Sequence, residues 1–154
     1  MKDLGKFRFK SQVRIRNYEI DWQGIVHNAA YLLYFETGRV EYLEHLGIAV
    51  NIHTIQHESK VVVVRNEIDY ISPAKFGETL DVYTRIAFVR NSSFAFEGVM
   101  QTVAGSRLIA ETVSVHVWLN HLDDRPLPVP DAFRRLVRQS EGENALVDWP
   151  ETRV

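Results

Sequence analysis

The longest regular alternations of hydrophobic and polar residues in this chain lie after residue 60 and have the period of two that is typical of β-strands. The predicted strands cover residues 13–20, 61–71, 79–90, 93–103 and 108–119. Ala104-Gly105-Ser106-Arg107 is a short connection, so the last two strands are predicted to form a hairpin. The strand over 61–71 begins with a run of valines and then alternates, which predicts burial first on both faces and then on one.

A long helical pattern over residues 29–46 separates the first two predicted strands, and Gly47 is placed to end it. The tyrosines of this segment lie on sides of the helix other than its leucine-rich side, which predicts burial around most of the circumference. Glycine inside a helix costs about 1 kcal/mol relative to alanine. We therefore expect the backbone at Gly38 to pack closely on another element, most naturally a face of the sheet.

The order of elements predicts an α+β fold in which one curved antiparallel sheet wraps around one long helix. A second, short helix is predicted over residues 130–139, after three prolines at alternate positions. The pattern indicates a single domain over residues 1–140. Residues 141–154 lack periodicity and are predicted to be a C-terminal tail with Trp149 as a docking anchor.

Composition narrows the function classes. The 154 residues are 45% hydrophobic and 25% charged, an ordinary balance for one globular domain. There is no cysteine, which excludes disulfides, thiolate metal sites and a cysteine nucleophile and fits a reducing compartment. A net charge of −2 gives no basic surplus for nucleic-acid binding. No window approaches the roughly 18 apolar residues of a membrane span, so we expect a cytoplasmic protein without membrane or nucleic-acid partners.

Candidate chemistry concentrates between the first strand and the long helix. Asp21 follows the strand, Gly24 permits a sharp turn, and Asn28 stands where the helix begins. A carboxylate and the free N–H groups of a helix N-terminus would then face the same small volume. This pair could attack, or activate water against, an acyl carbon whose oxygen the N–H groups stabilise. Asp and Asn are also ordinary turn and cap residues, so the spacing alone leaves both interpretations open.

The surrounding residues resemble a known family. The segment Asp21-x-x-Gly24-Ile25-Val26-His27-Asn28-x-x-Tyr31-Leu32-x-Tyr34-Phe35-Glu36-x-x-Arg39-x-Glu41-x-Leu43 is similar to the signature of hotdog-fold acyl-CoA thioesterases of the 4-hydroxybenzoyl-CoA thioesterase type. Residues 68–80, 89–94 and 128–130 resemble later parts of the same family, in the same order. The resemblance therefore spans about residues 13 to 138 and agrees with the architecture predicted from periodicity.

The resemblance implies an enzyme that hydrolyses an acyl-CoA thioester, with Asp21 as nucleophile or general base and the Asn28 N–H polarising the carbonyl oxygen. It implies substrate contacts along the same loop and helix and at the turn between the third and fourth strands, where the family binds coenzyme A. The implied substrate-binding residues are Gly24, His27, Tyr31, Arg90, Asn91, Ser92 and Ser93. Coenzyme A enters as part of the substrate, and no other cofactor and no metal is expected.

Several alternatives stay open. Some hotdog thioesterases carry their acid on the helix, where Glu36 and Glu41 lie, although Glu36 is also spaced to pair with Arg39. His53 and His57 are four residues apart but lack the glutamate of a zinc-protease helix. The acyl group could instead arrive on acyl carrier protein, or the protein could bind an acyl-CoA without hydrolysing it.

The predicted assembly follows from the open edge of a single sheet and from the apolar residues on both sides of strand 93–103. We expect a homodimer with paired sheets, extended to a homotetramer, with active sites at the subunit interfaces.

Overall fold

The structure is a computed structural model that describes residues 1–54 and 60–143. Its strands are β1 (Phe9–Arg14), β2 (Lys60–Tyr70), β3 (Thr79–Val89), β4 (Ser93–Thr102) and β5 (Leu108–Leu119). Its helices are α1 (Asn28–His45) and α2 (Asp131–Glu141), with short 3-10 helices at Leu4–Lys6 and Asn17–Glu19. His57, Trp149 and the rest of the predicted tail beyond residue 143 lie outside the described residues.

The strands form one five-stranded antiparallel sheet in the order β1-β3-β4-β5-β2, which confirms the predicted α+β class and the β4–β5 hairpin. The first strand lies earlier than predicted. It pairs with β3 from Phe9 opposite Thr84 to Arg14 opposite Thr79, where β3 begins. Beyond this point the chain enters a 3-10 turn, which is closed by the Glu19 N–H donating to the Arg16 carbonyl (3.1 Å), while the Glu19 carboxylate accepts the Arg16 N–H (2.8 Å).

The chain divides into two compact units. The first consists of Met1–Tyr42, Glu67–Arg85 and Gly98–Thr112, and the second of Leu43–Asn66, Ile86–Glu97 and the chain from Val113 onward. The predicted boundary of a single domain at residue 140 stays a prediction. Every residue of the candidate site described below around Asp21 belongs to the first unit.

In the first unit, α1 packs on the sheet through a face of small and aromatic residues. This face consists of Ala30, Tyr31, Tyr34, Phe35, Gly38 and Tyr42. A Cβ added to Gly38 would lie 2.8 Å from a Val82 methyl carbon and 3.0 Å from the Thr84 hydroxyl, so the predicted close approach to the sheet is confirmed. The Phe35 ring fits over Gly98 of β4 in the same way.

The prediction that α1 is buried on most sides is wrong. The tyrosines form the buried face, whereas Leu33 is 61% exposed and Glu36 and Thr37 are exposed beside it. The helix therefore has one buried face on the sheet and an exposed side on which Leu33 lies beside polar residues.

Strand β2 also differs from expectation. None of its residues is buried, and Val63 and Val64 are 46% and 56% exposed. Its valine run predicted burial on both faces, and this prediction is wrong for the single chain. Strand β2 also comes last in the sheet order, so it has a hydrogen-bonded neighbour on one side only. Strand β4 shows the reverse, because it lies between β3 and β5 and its apolar residues are buried within the chain. The apolar residues of β4 are thus covered within the chain, and the contact of β4 with a partner stays a prediction.

In the second unit, α2 follows Pro130 and places Phe133 against rings from β4 and β5. Phe133 lies 4.8 Å from the Phe94 ring and 5.4 Å from the Trp118 ring. His116 stacks on Phe94 at 5.4 Å and shares a hydrogen bond with the buried Ser114 hydroxyl (2.8 Å). These contacts fix α2 beside the strand ends that flank the β3–β4 turn.

Candidate active site

The loop that carries Asp21 is a tight hairpin. Ile20 pairs with Val26, the Asp21 N–H donates to the Ile25 carbonyl (2.8 Å), and Gly24 has a φ of +80°, which favours glycine. One Asp21 carboxylate oxygen, Oδ1, accepts the Gln23 N–H at 2.8 Å. This bond holds the half-buried carboxylate in place and leaves its second oxygen for other chemistry.

The start of α1 differs in one respect from the prediction. Asn28 is the first helical residue, but its side chain does not cap the helix; the cap is the His27 imidazole, whose Nδ1 accepts the Ala29 N–H at 3.1 Å. The His27 carbonyl accepts the Ala30 N–H (2.9 Å). Within the part of the chain that the structure describes, the Asn28 N–H has no acceptor. It is therefore a free donor at the positive end of the helix dipole.

Glu19, at the start of the loop that carries Asp21, is hydrogen-bonded to two residues of the His27–α1 segment. The Tyr34 hydroxyl donates to the Glu19 carboxylate at 2.5 Å, and the Glu19 carbonyl accepts the His27 N–H at 2.8 Å. Burial, and then this bond to the Glu19 carboxylate, raise the pKa of Tyr34 well above its usual value. Tyr34 therefore stays protonated and keeps donating, which ties the buried face of α1 to the strand side of the loop.

The Asp21 loop and the start of α1 form one wall of a pocket. The second wall is formed by the end of β2 and the segment after it, residues 70–74. The Tyr70 hydroxyl donates to the Asn28 carbonyl (3.1 Å), and the Tyr70 ring meets the Tyr31 ring edge to face at 5.5 Å. The Tyr31 hydroxyl accepts the Ala74 N–H (3.1 Å), and the Ala74 carbonyl accepts the Val26 N–H (2.9 Å). The two walls are thus joined by hydrogen bonds at both the tyrosine pair and Ala74.

Tyr31 keeps its proton near neutral pH. Burial raises the pKa of its hydroxyl, and the charges of Tyr70 and Asp21 act in the same direction, against the opposing effects of the Ala74 N–H and of Arg107. The Asp21 charge is therefore felt at the Tyr31 hydroxyl.

Arg107, from the β4–β5 turn, holds the second wall in place. Its guanidinium donates to the Glu78 carboxylate (2.6 Å), to the Ser72 hydroxyl (3.3 Å) and to the Pro73 carbonyl. Burial alone would raise the pKa of Glu78, but the Lys75 N–H and the Arg107 guanidinium outweigh it and lower that pKa. Glu78 is therefore ionised at neutral pH and anchors Arg107 against Ser72 and Pro73.

The two walls border an open pocket of about 490 Å³, a size that suits a small organic ligand. It is lined by Asp21, Gln23, Ile25, Val26, His27, Asn28, Tyr31, Tyr70, Ile71, Ser72 and Pro73. The structure thus brings together Asp21, His27, Asn28 and Tyr31, four of the residues that the sequence singled out. Gly24 lies in the turn beside them and shapes the loop.

The lining also contains residues that the sequence analysis did not assign to the site. Tyr70, Ser72 and Pro73 belong to the segment that resembles the thioesterase family over residues 68–80, so a signal was present. The resemblance indicated only that residues 68–80 are similar to part of the family. The fold places Tyr70, Ser72 and Pro73 in the same pocket as Asp21.

The predicted coenzyme A residues lie in the second unit, at the turn between β3 and β4. Arg90 stands over the Phe88 ring at 5.0 Å, and its N–H donates to the Ser93 carbonyl at 2.7 Å. Asn91 is exposed, and Ser92 and Ser93 are partly exposed. The turn therefore offers a cation and small polar groups to solvent.

The alternative acids lie outside the pocket lining. Glu36 is on the exposed side of α1. Burial lowers the pKa of Arg39, and the nearby charge of Glu36 opposes this effect only in part.

Among residues 1–54 and 60–143, no group of three His, Asp or Glu side chains could hold a metal ion. Over the same residues, no helix is long and apolar enough to cross a membrane.

Comparison with known proteins identifies the family. The profile of the thioesterase-like superfamily matches residues 15–137, which is most of the chain. The chain belongs to this superfamily. The family match confirms the predicted hotdog fold and, together with the relatives below, the predicted class of enzyme, a thioester hydrolase.

Individual relatives carry more specific names. The acyl-acyl carrier protein thioesterase ATL3 of Arabidopsis thaliana is 27% identical over 134 residues, covering 86% of this chain and 68% of its own length. The acyl-CoA thioester hydrolase YbgC of Escherichia coli is 27% identical over 126 residues, covering 81% of this chain and 92% of its own length. A second plant relative, the acyl-acyl carrier protein thioesterase ATL2 of Arabidopsis thaliana, is 28% identical over 123 residues. The chain spans 68% of the length of ATL3 and 64% of the length of ATL2.

A solved structure extends the likeness to three dimensions. The thioesterase of Thermus thermophilus that was crystallised with coenzyme A and Zn is 30% identical and superposes with a TM-score of 0.76, covering 89% of this chain and 96% of that protein.

Proposed function

We propose that this thioesterase hydrolyses an acyl-CoA to the free acid and coenzyme A at the pocket between Asp21 and Tyr70. The observation that carries the proposal is the shared lining of one pocket by the Asp21 carboxylate and by Asn28, whose N–H is a free donor at the start of α1. The names of YbgC and of the Thermus complex, both coenzyme A proteins, support the choice of carrier.

In the proposed reaction the thioester carbonyl oxygen accepts the Asn28 N–H, which stabilises the negative charge that develops on this oxygen. The free Asp21 oxygen either attacks the carbonyl carbon, giving a mixed anhydride that water then hydrolyses, or takes a proton from the attacking water. In both cases the carbon–sulfur bond breaks and coenzyme A leaves as the thiol after protonation. The remaining Asp21 oxygen keeps its bond to the Gln23 N–H throughout.

The substrate's remaining contacts are assigned by the resemblance. His27 and Tyr31 border the acyl group, and Gly24 lets the loop fold close to the thioester. Arg90, Asn91, Ser92 and Ser93 contact coenzyme A, with Arg90 suited to a phosphate because of its planar fork of donors. Coenzyme A is the substrate's own carrier, and no separate cofactor or metal is proposed. The cysteine-free composition favours the cytoplasm as the compartment.

A screen of thiol release tests this function. We expect the purified protein to release coenzyme A from at least one of a short-chain, a long-chain and an aromatic acyl-CoA. The aromatic substrate tests the finer resemblance to 4-hydroxybenzoyl-CoA thioesterases, since Tyr31 and Tyr70 place two aromatic rings in the pocket lining. Binding of all three without thiol release would contradict hydrolysis and favour a non-catalytic acyl-CoA-binding protein.

The names of the plant relatives favour acyl carrier protein as a second candidate carrier. Free coenzyme A separates the two candidates. If the natural carrier is coenzyme A, the free molecule should inhibit hydrolysis of acyl-CoA competitively. A carrier-protein enzyme should instead hydrolyse the thioester of an acyl-acyl carrier protein, releasing the free acid and the carrier thiol, without such inhibition.

We further propose that the protein is a homodimer in which two β2 strands pair, with a homotetramer as the larger assembly and active sites at the subunit interfaces. Strand β2 is last in the sheet order and carries exposed valines, features that a single chain rarely leaves uncovered.

Light scattering tests the proposed dimer and should give at least twice the chain mass of 17.8 kDa. Val63→Lys should shift this mass to one chain, whereas Leu122→Lys, an equally polar change at an exposed site outside β2, should not. A monomeric parent protein would contradict the proposal.

A further inference from the structure

The side chain of Arg134 in α2 is hydrogen-bonded to backbone carbonyls of the β3–β4 turn. The Arg134 guanidinium donates through Nη2 to the Arg90 carbonyl (2.6 Å) and to the Asn91 carbonyl (3.0 Å), and through Nε to the Val129 carbonyl (3.1 Å). Arg134 is only partly exposed. All of these groups belong to the second unit, so α2 and the turn form one hydrogen-bonded structure.

The carbonyl groups of this turn are all engaged within the protein. Besides its bond from Arg134, the Asn91 carbonyl accepts the Val129 N–H (2.7 Å). The Ser92 carbonyl accepts the Trp118 N–H (2.8 Å), and the Ser93 carbonyl accepts the Arg90 N–H (2.7 Å). By contrast, the N–H groups of Asn91 and Ser92 and the hydroxyl of Ser92 have no partner among the residues that the structure describes.

The geometry of the peptide group connects these two facts. The carbonyl of Arg90 and the N–H of Asn91 belong to one peptide group, as do the carbonyl of Asn91 and the N–H of Ser92. In a trans peptide the carbonyl and the N–H point in opposite directions, and the described chain has no cis peptide bond. Because Arg134 binds these two carbonyls, the two free N–H groups point away from it.

Consecutive N–H groups that point the same way form an anion-binding site, and a cation bound to their carbonyls strengthens it by polarising the peptide groups. We infer that Arg134 is a positioning residue for the phosphate-bearing part of coenzyme A. It does not touch the substrate; it orients the Asn91 and Ser92 N–H groups toward a phosphate that Arg90 also attracts. This inference rests on the proposed role of the β3–β4 turn in binding coenzyme A.

The turn is held by the planar guanidinium group of Arg134, and a positive charge alone would not replace it. Three carbonyls are bound through two different nitrogens of one planar group, which a lysine ammonium cannot reproduce. Both Arg134→Gln and Arg134→Lys should therefore disturb the turn. Arg135→Gln is the matched control, because Arg135 is the next residue of α2 and is exposed.

The experiment compares an acyl-CoA with the same acyl group on pantetheine, which lacks the nucleotide and its phosphates. We expect Arg134→Gln and Arg134→Lys to raise KM for the acyl-CoA by about tenfold, the effect of losing hydrogen bonds to a charged group. We expect kcat to stay within about twofold and the pantetheine substrate to be unaffected. Arg135→Gln should match the parent protein with both substrates.

The outcomes separate this inference from the proposed function. If Arg90→Ala raises KM for the acyl-CoA but neither Arg134 variant does, the role of Arg134 is overturned and the coenzyme A site stands. If the Arg134 variants impair both substrates equally, Arg134 has a general structural role and the inference is wrong. If Arg90→Ala has no effect and the parent does not distinguish the two substrates, the turn does not bind coenzyme A. Should Arg134→Gln fail to fold, Arg134→Lys is judged by the same criteria.

Discussion

Replacing Asp21 by asparagine is expected to lower kcat by about 10²- to 10⁴-fold, the range over which a positioned acid or base contributes to turnover. The amide has nearly the shape of the carboxylate and keeps an oxygen that can accept the Gln23 N–H, so the tight turn should survive. What it loses is the negative charge and the basicity that either proposed role requires. Steady-state thiol release on the best acyl-CoA of the screen measures the effect.

Two further measurements make this test specific. Circular dichroism and the melting temperature of Asp21→Asn should match those of the parent, which would exclude unfolding as the cause. Glu36→Gln tests the alternative acid on α1 and should change kcat by less than about threefold, since Glu36 is exposed and outside the pocket lining. Loss of activity in Glu36→Gln with retention in Asp21→Asn would reverse the assignment.

The second large effect is expected from Asn28→Pro, because proline removes the backbone N–H together with the Asn side chain, and the matched alanine variant below measures the loss of the side chain alone. Asn28 is the first residue of α1, where proline is well tolerated and where its fixed φ suits the helix. The residue before it, His27, is the cap, a position that already favours the extended backbone that proline imposes on its predecessor. The variant should therefore fold and lack one donor.

Loss of one oxyanion donor typically lowers kcat by about 10²- to 10³-fold. We expect this loss in Asn28→Pro, with a much smaller change in KM, since the bond to the carbonyl oxygen strengthens as charge develops. Asn28→Ala is the matched variant, because it removes the side chain and keeps the N–H, and it should lose less than about tenfold. Equal losses in the two variants would show that the Asn28 side chain, and not its N–H, matters for turnover.

Asp21 and Asn28 also differ in which parts of the pocket hold them in position. Asp21 is held by its own turn, through contacts with Gln23 and Ile25. The Asn28 position depends in addition on Tyr70, which is 42 residues away in sequence and donates to the Asn28 carbonyl. Damage to the second wall should therefore affect oxyanion stabilisation more than it affects the carboxylate.

The turn that carries Asp21 and most of the secondary structure could be predicted because their signals are local. Alternation placed β3, β4, β5 and the hairpin between the last two strands, and Gly38 and Gly47 indicated a close helix–sheet contact and a helix end. The helix cap could not be predicted reliably, since His27 and Asn28 are adjacent and either side chain can accept an N–H. The structure selects His27.

The sequence by itself determined the class of the fold, the positions of Asp21 and of the helix start, and the family. These follow from periodicity and short motifs, which depend on neighbours along the chain. Only the tertiary structure decided that the tyrosine face of α1 is buried and that the valine strand lies at the sheet edge, because an apolar pattern does not say which of two apolar faces finds a partner. It also decided that Arg107 and Arg134 hold the second wall and the β3–β4 turn. The bonds of Arg107 to Ser72, Pro73 and Glu78 and of Arg134 to Arg90 and Asn91 join residues 29 to 44 positions apart, a distance at which only strand order and packing determine contact.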